Sequence, residues 1–282
     1  MAGGLNKGTF ANLNPKDELF EEIKKQQPEW WEIFREDKEL YIHIRKDNYI
    51  NVYYNGGSVA RIEFKNGDFS AKIHKKYFPF ESDLSNVAKN SKYIEVDIRD
   101  IAKNLKDIKN NIKIHYSDWN LKSEGRAEKW LQSKLILKDP NRYIDSQFAY
   151  NDEKLLIIDL VELSPDGKLS FTELKRLSDD RLESEIIGQM ETYKKFVSDN
   201  DFFIVAYYKK LIQLRRELQL YAPFISDIIL NPTLNLLIVD TSQKDKEESQ
   251  KEKEERENKT KNIKKLLDDH KIKYEIKSLS EI

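Results

Sequence analysis

The run LLIIDLVEL (155–163) passes through Ser164-Pro165-Asp166-Gly167 into KLSFTELKR (168–176). Two largely apolar runs joined by a Pro-Asp-Gly turn read as neighbouring strands, near 154–163 and 168–175. Asp159 lies 14 positions ahead of Glu173, and Glu173-Leu174-Lys175 follows in the second run. The pairing would set two carboxylates and an ammonium at adjacent strand ends. Side chains alternate along a strand, so Glu173 and Lys175 share a face and Leu174 takes the other. Paired carboxylates of this kind suit a hard divalent cation that keeps part of its water shell. A water on that cation, oriented by the lysine, can attack a phosphodiester.

A Glu-x-Lys triplet carries little weight in a chain that is 35% charged. It recurs at Glu22/Lys24, Glu36/Lys38, Glu63/Lys65, Glu257/Lys259 and Glu275/Lys277. The copy at Glu173 is set apart by an apolar strand around it, a hairpin before it and a helical pattern after it. Asp47 with Glu63-Phe64-Lys65 imitates the spacing, but no helix follows. An isolated aspartate in an apolar run is unfavourable unless paired or metal-bound, which singles out Asp159. Asp145, in RYIDSQF, is the rival carboxylate.

The 282 residues contain no cysteine, which excludes disulfides, thiolate metal sites, iron-sulfur clusters and cysteine nucleophiles together. His43, His74, His115 and His270 are scattered without ligand spacing and read as structural. There is no Gly-x-Ser-x-Gly elbow, dinucleotide fingerprint or GxxxxGK[ST] loop, so other enzyme classes and an intrinsic ATPase motor find no support. Forty-nine basic against fifty acidic residues give a net charge of −1, so nucleic acid would have to be met by a local basic groove. No run approaches the ~20 apolar residues of a membrane span, and MAGGLNKGTF lacks a signal-peptide core. A soluble, cytoplasmic protein without membrane attachment is expected.

Along the chain, residues 15–37 read as helix broken at Pro28. Asn55-Gly56-Gly57 and Asn66-Gly67-Asp68 are hairpin signals among the strands YIHIR, YINVYY, SVARIEF and FSAKIH, an antiparallel meander. A helical region around 96–110 closes an amino-terminal domain over 1–115. The remainder, 116–282, reads as helix at 118–137, three strands near 143–150, 154–163 and 168–175, and a helix at 181–198. After these come a strand FFIVAYY, a basic helix KKLIQLRRELQLY, a strand LNLLIVD, a highly charged helix near 244–269 and a last strand IKYEIKSL. The fold class is therefore α/β, α+β overall: a mixed sheet flanked by helices, preceded by an antiparallel meander domain.

Residues 118–210 resemble the PD-(D/E)xK nuclease superfamily, whose core is restriction-endonuclease-like. The resemblance rests on Asp159, on Glu173-Leu174-Lys175, on the preceding helix RAEKWLQSKL and on Gln189-Met-Glu-Thr-Tyr193. The last matches the Gln-x-x-x-Tyr motif of the RecB-like and Cas4-like branch, and residues i and i+4 share a helix face. Ile158 replaces the superfamily's proline, and the iron-sulfur cysteines of that branch are missing. The resemblance implies catalytic roles for Glu128, Asp159, Glu173, Lys175, Gln189 and Tyr193, with Glu124 a substitute for Glu128. It implies Mg2+ or Mn2+ held by Asp159, Glu173, the Leu174 carbonyl and Glu128. It further implies a deoxyribonuclease, in bacterial defence against viruses or in DNA repair, working with a second copy or a separate helicase or ATPase. Lys194, Lys195, Lys209, Lys210, Arg215 and Arg216 are the candidate phosphate contacts. The alternative is an inactive nuclease-fold scaffold whose charged helix and meander serve binding. The amino-terminal domain carries no chemical motif.

Overall fold

A computed structural model of the chain describes residues 12–79, 91–116, 124–151, 155–225, 227–242 and 249–282. It has the α/β organisation expected, with an antiparallel five-stranded sheet and a mixed six-stranded sheet. Two compact units are present, one of Met1–Asn141 with Ala206–Phe224, the other of Arg142–Val205 with Ile225–Ile282. The chain does not change unit at 115/116, because the helix Glu124–Lys138 groups with the amino-terminal sheet.

Unit one begins with helices α1 (Glu18–Gln26) and α2 (Glu29–Glu36). Asp17 accepts the Leu19 N–H at 3.1 Å and caps α1, while Pro28 starts α2, where its missing N–H costs nothing. Helical spacing puts Leu19, Phe20 and Ile23 on one face, and all three are buried, each stabilising the unit by about 1.5–3 kcal/mol.

Strands β1 (Leu40–Arg45), β2 (Tyr49–Tyr54), β3 (Gly57–Lys65), β4 (Asp68–His74) and β5 (Tyr93–Asp97) form the first sheet in sequence order, all antiparallel. The Asn-Gly turns behave as read: Asn55 and Asn66 have φ of 49° and 54°, and the glycines after them 85° and 82°. Gly56 is fixed by space as well, since a Cβ there would lie 2.8 Å from the Lys129 carbonyl. β5 is a strand that the sequence reading missed. Helices α3 (Ile98–Lys103), α4 (Leu105–His115) and α5 (Glu124–Lys138) follow it.

Unit two is built on β6 (Tyr143–Asn151), β7 (Leu155–Leu163), β8 (Lys168–Arg176), β9 (Ile229–Leu230), β10 (Asn235–Asp240) and β11 (Lys273–Ser278). The order is β11-β10-β8-β7-β6, with the short β9 beside β8. β6 to β8 pair antiparallel, and β10 joins β8, and β11 joins β10, in parallel. Such parallel additions need crossover connections, which helices α6 (Arg181–Ser184), α7 (Ile186–Asp199), α8 (Asp201–Glu217) and α9 (Gln250–Asp269) supply.

FFIVAYY is helix, not strand: residues 202–208 lie inside α8. Its buried residues Ile204, Tyr207, Tyr208, Leu211 and Ile212 recur at a helical spacing, while Phe202 is 74% exposed. A strand would have buried Phe202 with Ile204. The boundary between the units falls within this helix, after Val205.

Candidate active site

The hairpin that carries the site is closed by its turn. Gly167 adopts φ 82°, Ser164 receives its N–H at 2.9 Å, and the Ser164 Oγ takes the Lys168 N–H at 2.9 Å. The register Val161↔Phe171 and Leu160↔Thr172, continued by one residue, brings Asp159 opposite Glu173. Asp159 Oδ2 accepts the Leu174 N–H at 2.9 Å, which ties the first carboxylate to the strand that carries the second.

Asp159, Glu173 and Lys175 are 8%, 2% and 2% exposed. The Lys175 ammonium donates to Glu173 Oε1. Gln189 Nε2 donates to the same oxygen at 2.7 Å and lies 2.8 Å from the Tyr193 hydroxyl, which in turn donates to the Ile157 carbonyl at 2.6 Å. One turn of α7 thus hydrogen-bonds both β7 and β8. Two carboxylates share one lysine in a low-dielectric setting, and the strain falls on Asp159. Burial first, then the Glu173 charge, push its carboxyl up to about 7, against the pull of Lys175 and the Leu174 N–H. Burial and Glu173 also raise the Tyr193 hydroxyl to about 12, so it stays protonated as a donor.

Five of the six candidate catalytic residues therefore meet within unit two: Asp159, Glu173, Lys175, Gln189 and Tyr193. Glu128 is half-buried on α5, which belongs to unit one. The Glu124 side chain lies outside the described residues. Asp145 is buried in β6 opposite Val161, and its Oδ1 accepts the Ser146 N–H at 2.8 Å. The imitation site in the meander is used up: Glu63 is paired with Arg61 at 2.8 Å, with Lys65, and with Lys72 at 3.3 Å.

Of the candidate phosphate contacts, Lys194, Lys195, Lys209 and Lys210 are exposed, and Lys195 pairs with Asp199 at 2.6 Å. Arg215 has another role. It is 8% exposed and donates to the Tyr221 carbonyl at 2.9 Å and to the Ile42 carbonyl at 3.0 Å, so its guanidinium serves packing within unit one. Arg216 donates to the Pro223 carbonyl and lies 4.8 Å from the Phe224 ring centre. The basic pattern of the helix could not show this, since buried and exposed arginines look alike in sequence.

Asp179 and Arg181 were missed. Asp179, 4% exposed, is held by Arg181 through Nε at 3.0 Å and Nη2 at 2.6 Å. Burial works to raise its carboxyl, but Arg181, together with Lys175, holds it below the usual range. The signal was an Asp-Asp-Arg cluster where the four-residue connection after β8 enters α6 at Arg181.

Among the described residues no group of three or more His, Asp or Glu side chains forms a ready metal cage. Two carboxylates suffice for Mg2+, which is commonly held by one or two carboxylates with water and substrate phosphate. The oxygen-only donors and the excess negative charge shown by Asp159 fit that cation. No helix among the described residues is long and apolar enough to cross a membrane. Compared with family models, with curated proteins and with solved structures, the chain matches none.

Proposed function

We propose that the chain is a metal-dependent nuclease that hydrolyses phosphodiester bonds, with DNA as its substrate, of the PD-(D/E)xK kind. The observation that carries the reading is the convergence on Glu173 Oε1 of Lys175 and Gln189, beside Asp159. Sequence spacing alone could have arisen by chance in so charged a chain, but three elements meeting at one carboxylate could not be read from composition.

Asp159, Glu173 and the Leu174 carbonyl would hold Mg2+ or Mn2+, which when bound neutralises phosphate charge and lowers the pKa of a coordinated water. Lys175 sets its ammonium beside the attacking position, orienting the nucleophile and offsetting charge that builds on the phosphate. Gln189 fixes the Glu173 carboxylate, and Tyr193 anchors Gln189 to the backbone of β7.

Cleavage of plasmid and single-stranded DNA with Mg2+ tests the reading. Asp159→Ala and Lys175→Ala should abolish cutting, and undiminished cleavage by either variant overturns the assignment.

One observation favours a second reading, a scaffold that keeps the arrangement without the chemistry. The Glu173 and Lys175 side chains are each only 3% exposed, as in a structural ion pair. Calorimetry with Mn2+ separates the two: a heat of binding lost in Asp159→Asn supports the nuclease, and no heat supports the scaffold.

A further inference from the structure

Unit one holds a cleft of about 450 Å3 where the carboxy-terminal ends of α1 and α8 meet α2. A cleft of that volume suits one small molecule. Its apolar wall is fixed in place. Trp31 is 5% exposed, and its indole N–H donates to the Leu218 carbonyl at 3.3 Å, so the ring is tied to the chain that leaves α8. Ile23 and Pro28 extend the same apolar lining.

Two glutamines in the left-handed region also line the cleft, Gln27 after α1 at φ 42° and Gln219 after α8 at φ 58°. Glycine or asparagine is the usual residue at such a helix end, so two long amides at one opening are a feature of the site rather than of the turns. Four charged side chains line it as well. Lys24 and Glu217 satisfy each other at 3.0 Å. Glu32 and Arg35 do not pair, although residues three apart on a helix have Cβ atoms about 5–6 Å from one another. The exposed Glu32 carboxylate has no partner among the described residues.

Arg35 is only partly engaged. Its Nη1 donates to the amide oxygen of the exposed Gln219, and its Nη2 meets the exposed Glu36 at 3.1 Å. Its Nε is enclosed and has no acceptor among the described residues. An enclosed donor without an acceptor is costly, and a carboxylate arriving side-on would take Nε and Nη2 together. Arg181 grips Asp179 in that way, through Nε at 3.0 Å and Nη2 at 2.6 Å. The contact with Glu36 that such a ligand displaces is an exposed ion pair, which contributes little.

The charges decide which ligand fits. A simple anion meets Arg35 but brings its charge towards Glu32 and Glu217. A simple cation meets Glu32 and leaves the Arg35 Nε as it is. A molecule with an ammonium and a carboxylate on one carbon, and an apolar side chain for Trp31, satisfies all three. In a peptide the two end charges move apart by about 3.3–3.6 Å for each added residue, which outruns the spacing of Glu32 and Arg35. We propose that the cleft binds a free α-amino acid with an apolar side chain, its carboxylate on Arg35, its ammonium on Glu32 and its side chain against Trp31. The inference goes beyond the hydrolytic reading and needs neither metal ion nor nucleic acid.

Thermal unfolding of the full chain in EDTA, titrated with L-phenylalanine, L-leucine, hydrocinnamate and phenethylamine, tests it. The amino acids should raise the Tm along a saturating curve, since they bind the folded state. Hydrocinnamate, which lacks the ammonium, and phenethylamine, which lacks the carboxylate, should each bind at least about 10-fold more weakly than L-phenylalanine. Glu32→Gln, at an exposed position, should bring L-phenylalanine down to the affinity of hydrocinnamate. Arg35→Lys keeps the charge but loses the side-on contact, and should weaken L-phenylalanine by about 10-fold or more. No saturable rise with either amino acid, an equal rise with hydrocinnamate, or wild-type affinity for L-phenylalanine in Glu32→Gln overturns the proposal. The titration contains neither DNA nor Mg2+, so a chain that binds amino acid but never cuts would sink the nuclease reading alone. Cutting by a chain that ignores both amino acids would do the reverse.

Discussion

Gln189 on α7 donates to Glu173 Oε1 on β8 at 2.7 Å while touching the Tyr193 hydroxyl at 2.8 Å, so a single amide group couples helix to sheet at the candidate active site. Gln189→Ala should leave Asp159, Glu173 and Lys175 present but poorly oriented. Mg2+-dependent cleavage should drop about 10- to 100-fold, the usual cost of losing an outer-shell partner. Single-turnover kinetics at saturating DNA will read this, and wild-type rates would remove Gln189 from the site.

Asp159 gives the metal-free protein a distinctive pH dependence. Its folded-state value of about 7 lies above the ordinary aspartate value, so between the two the folded chain holds a proton that the unfolded chain has released. The stability contributed by that proton is fully present below about pH 4 and is lost as pH rises through 7. Thermal unfolding in EDTA should therefore show wild type losing stability relative to Asp159→Asn between pH 5 and pH 8. Parallel curves for the two proteins would show that Asp159 titrates normally.

A divalent cation should reverse that loss. At 100 times its Kd, a ligand that binds only the folded state adds about 2.7 kcal/mol. Mn2+ should raise the Tm of wild type more at pH 8 than at pH 5, because the deprotonated carboxylates are the ligands. Asp159→Asn should show no such shift, and an equal rise in both proteins would place the cation elsewhere.

Two glycines with the same φ of 82° should respond differently to alanine. A Cβ at Gly167 would sit 2.2 Å from the Asp227 carbonyl oxygen, whereas one at Gly67 meets nothing within 4 Å. Gly67→Ala should cost about 1 kcal/mol, from the backbone conformation alone. Gly167→Ala adds a backbone clash and should cost well over about 2 kcal/mol, seen as a large fall in urea midpoint. Similar midpoints would mean that the Asp227 segment yields readily.

Arg215 should behave as a structural residue. Arg215→Ala leaves the Ile42 and Tyr221 carbonyls without their donor and should destabilise the fold by about 1–3 kcal/mol. Nucleic-acid affinity measured on the remaining folded protein should be unchanged, and a selective loss of affinity would restore its expected contact with phosphate.

Much of the architecture was legible because local signals and tertiary packing agreed. Asn55-Gly56 and Asn66-Gly67 demanded positive φ, and Ser164–Gly167 fixed the register that sets Asp159 opposite Glu173. The error at FFIVAYY came from reading seven apolar residues apart from their continuation. Taken together with Leu211 and Ile212, the spacing from Ile204 is helical, and helix and strand are hard to separate in a run so short. β5 was lost because Ile94 and Val96 give only two turns of alternation beside a strong helical pattern. Asp179 and Arg181 stayed hidden because an Asp-x-Arg pair is common in so charged a chain, as the exposed pair Asp97/Arg99 shows, and only burial sets Asp179 apart.

Arg215 also sets a clock. Its partner carbonyl at Ile42 leaves the ribosome 173 residues earlier, and Trp31 waits similarly for the Leu218 carbonyl, which its indole N–H meets at 3.3 Å. At about 5–20 residues per second, the meander spends roughly ten to thirty seconds translated but unfinished. During that interval the whole β6–β8 hairpin series is synthesised, and the nascent amino-terminal sheet becomes a natural client for chaperones.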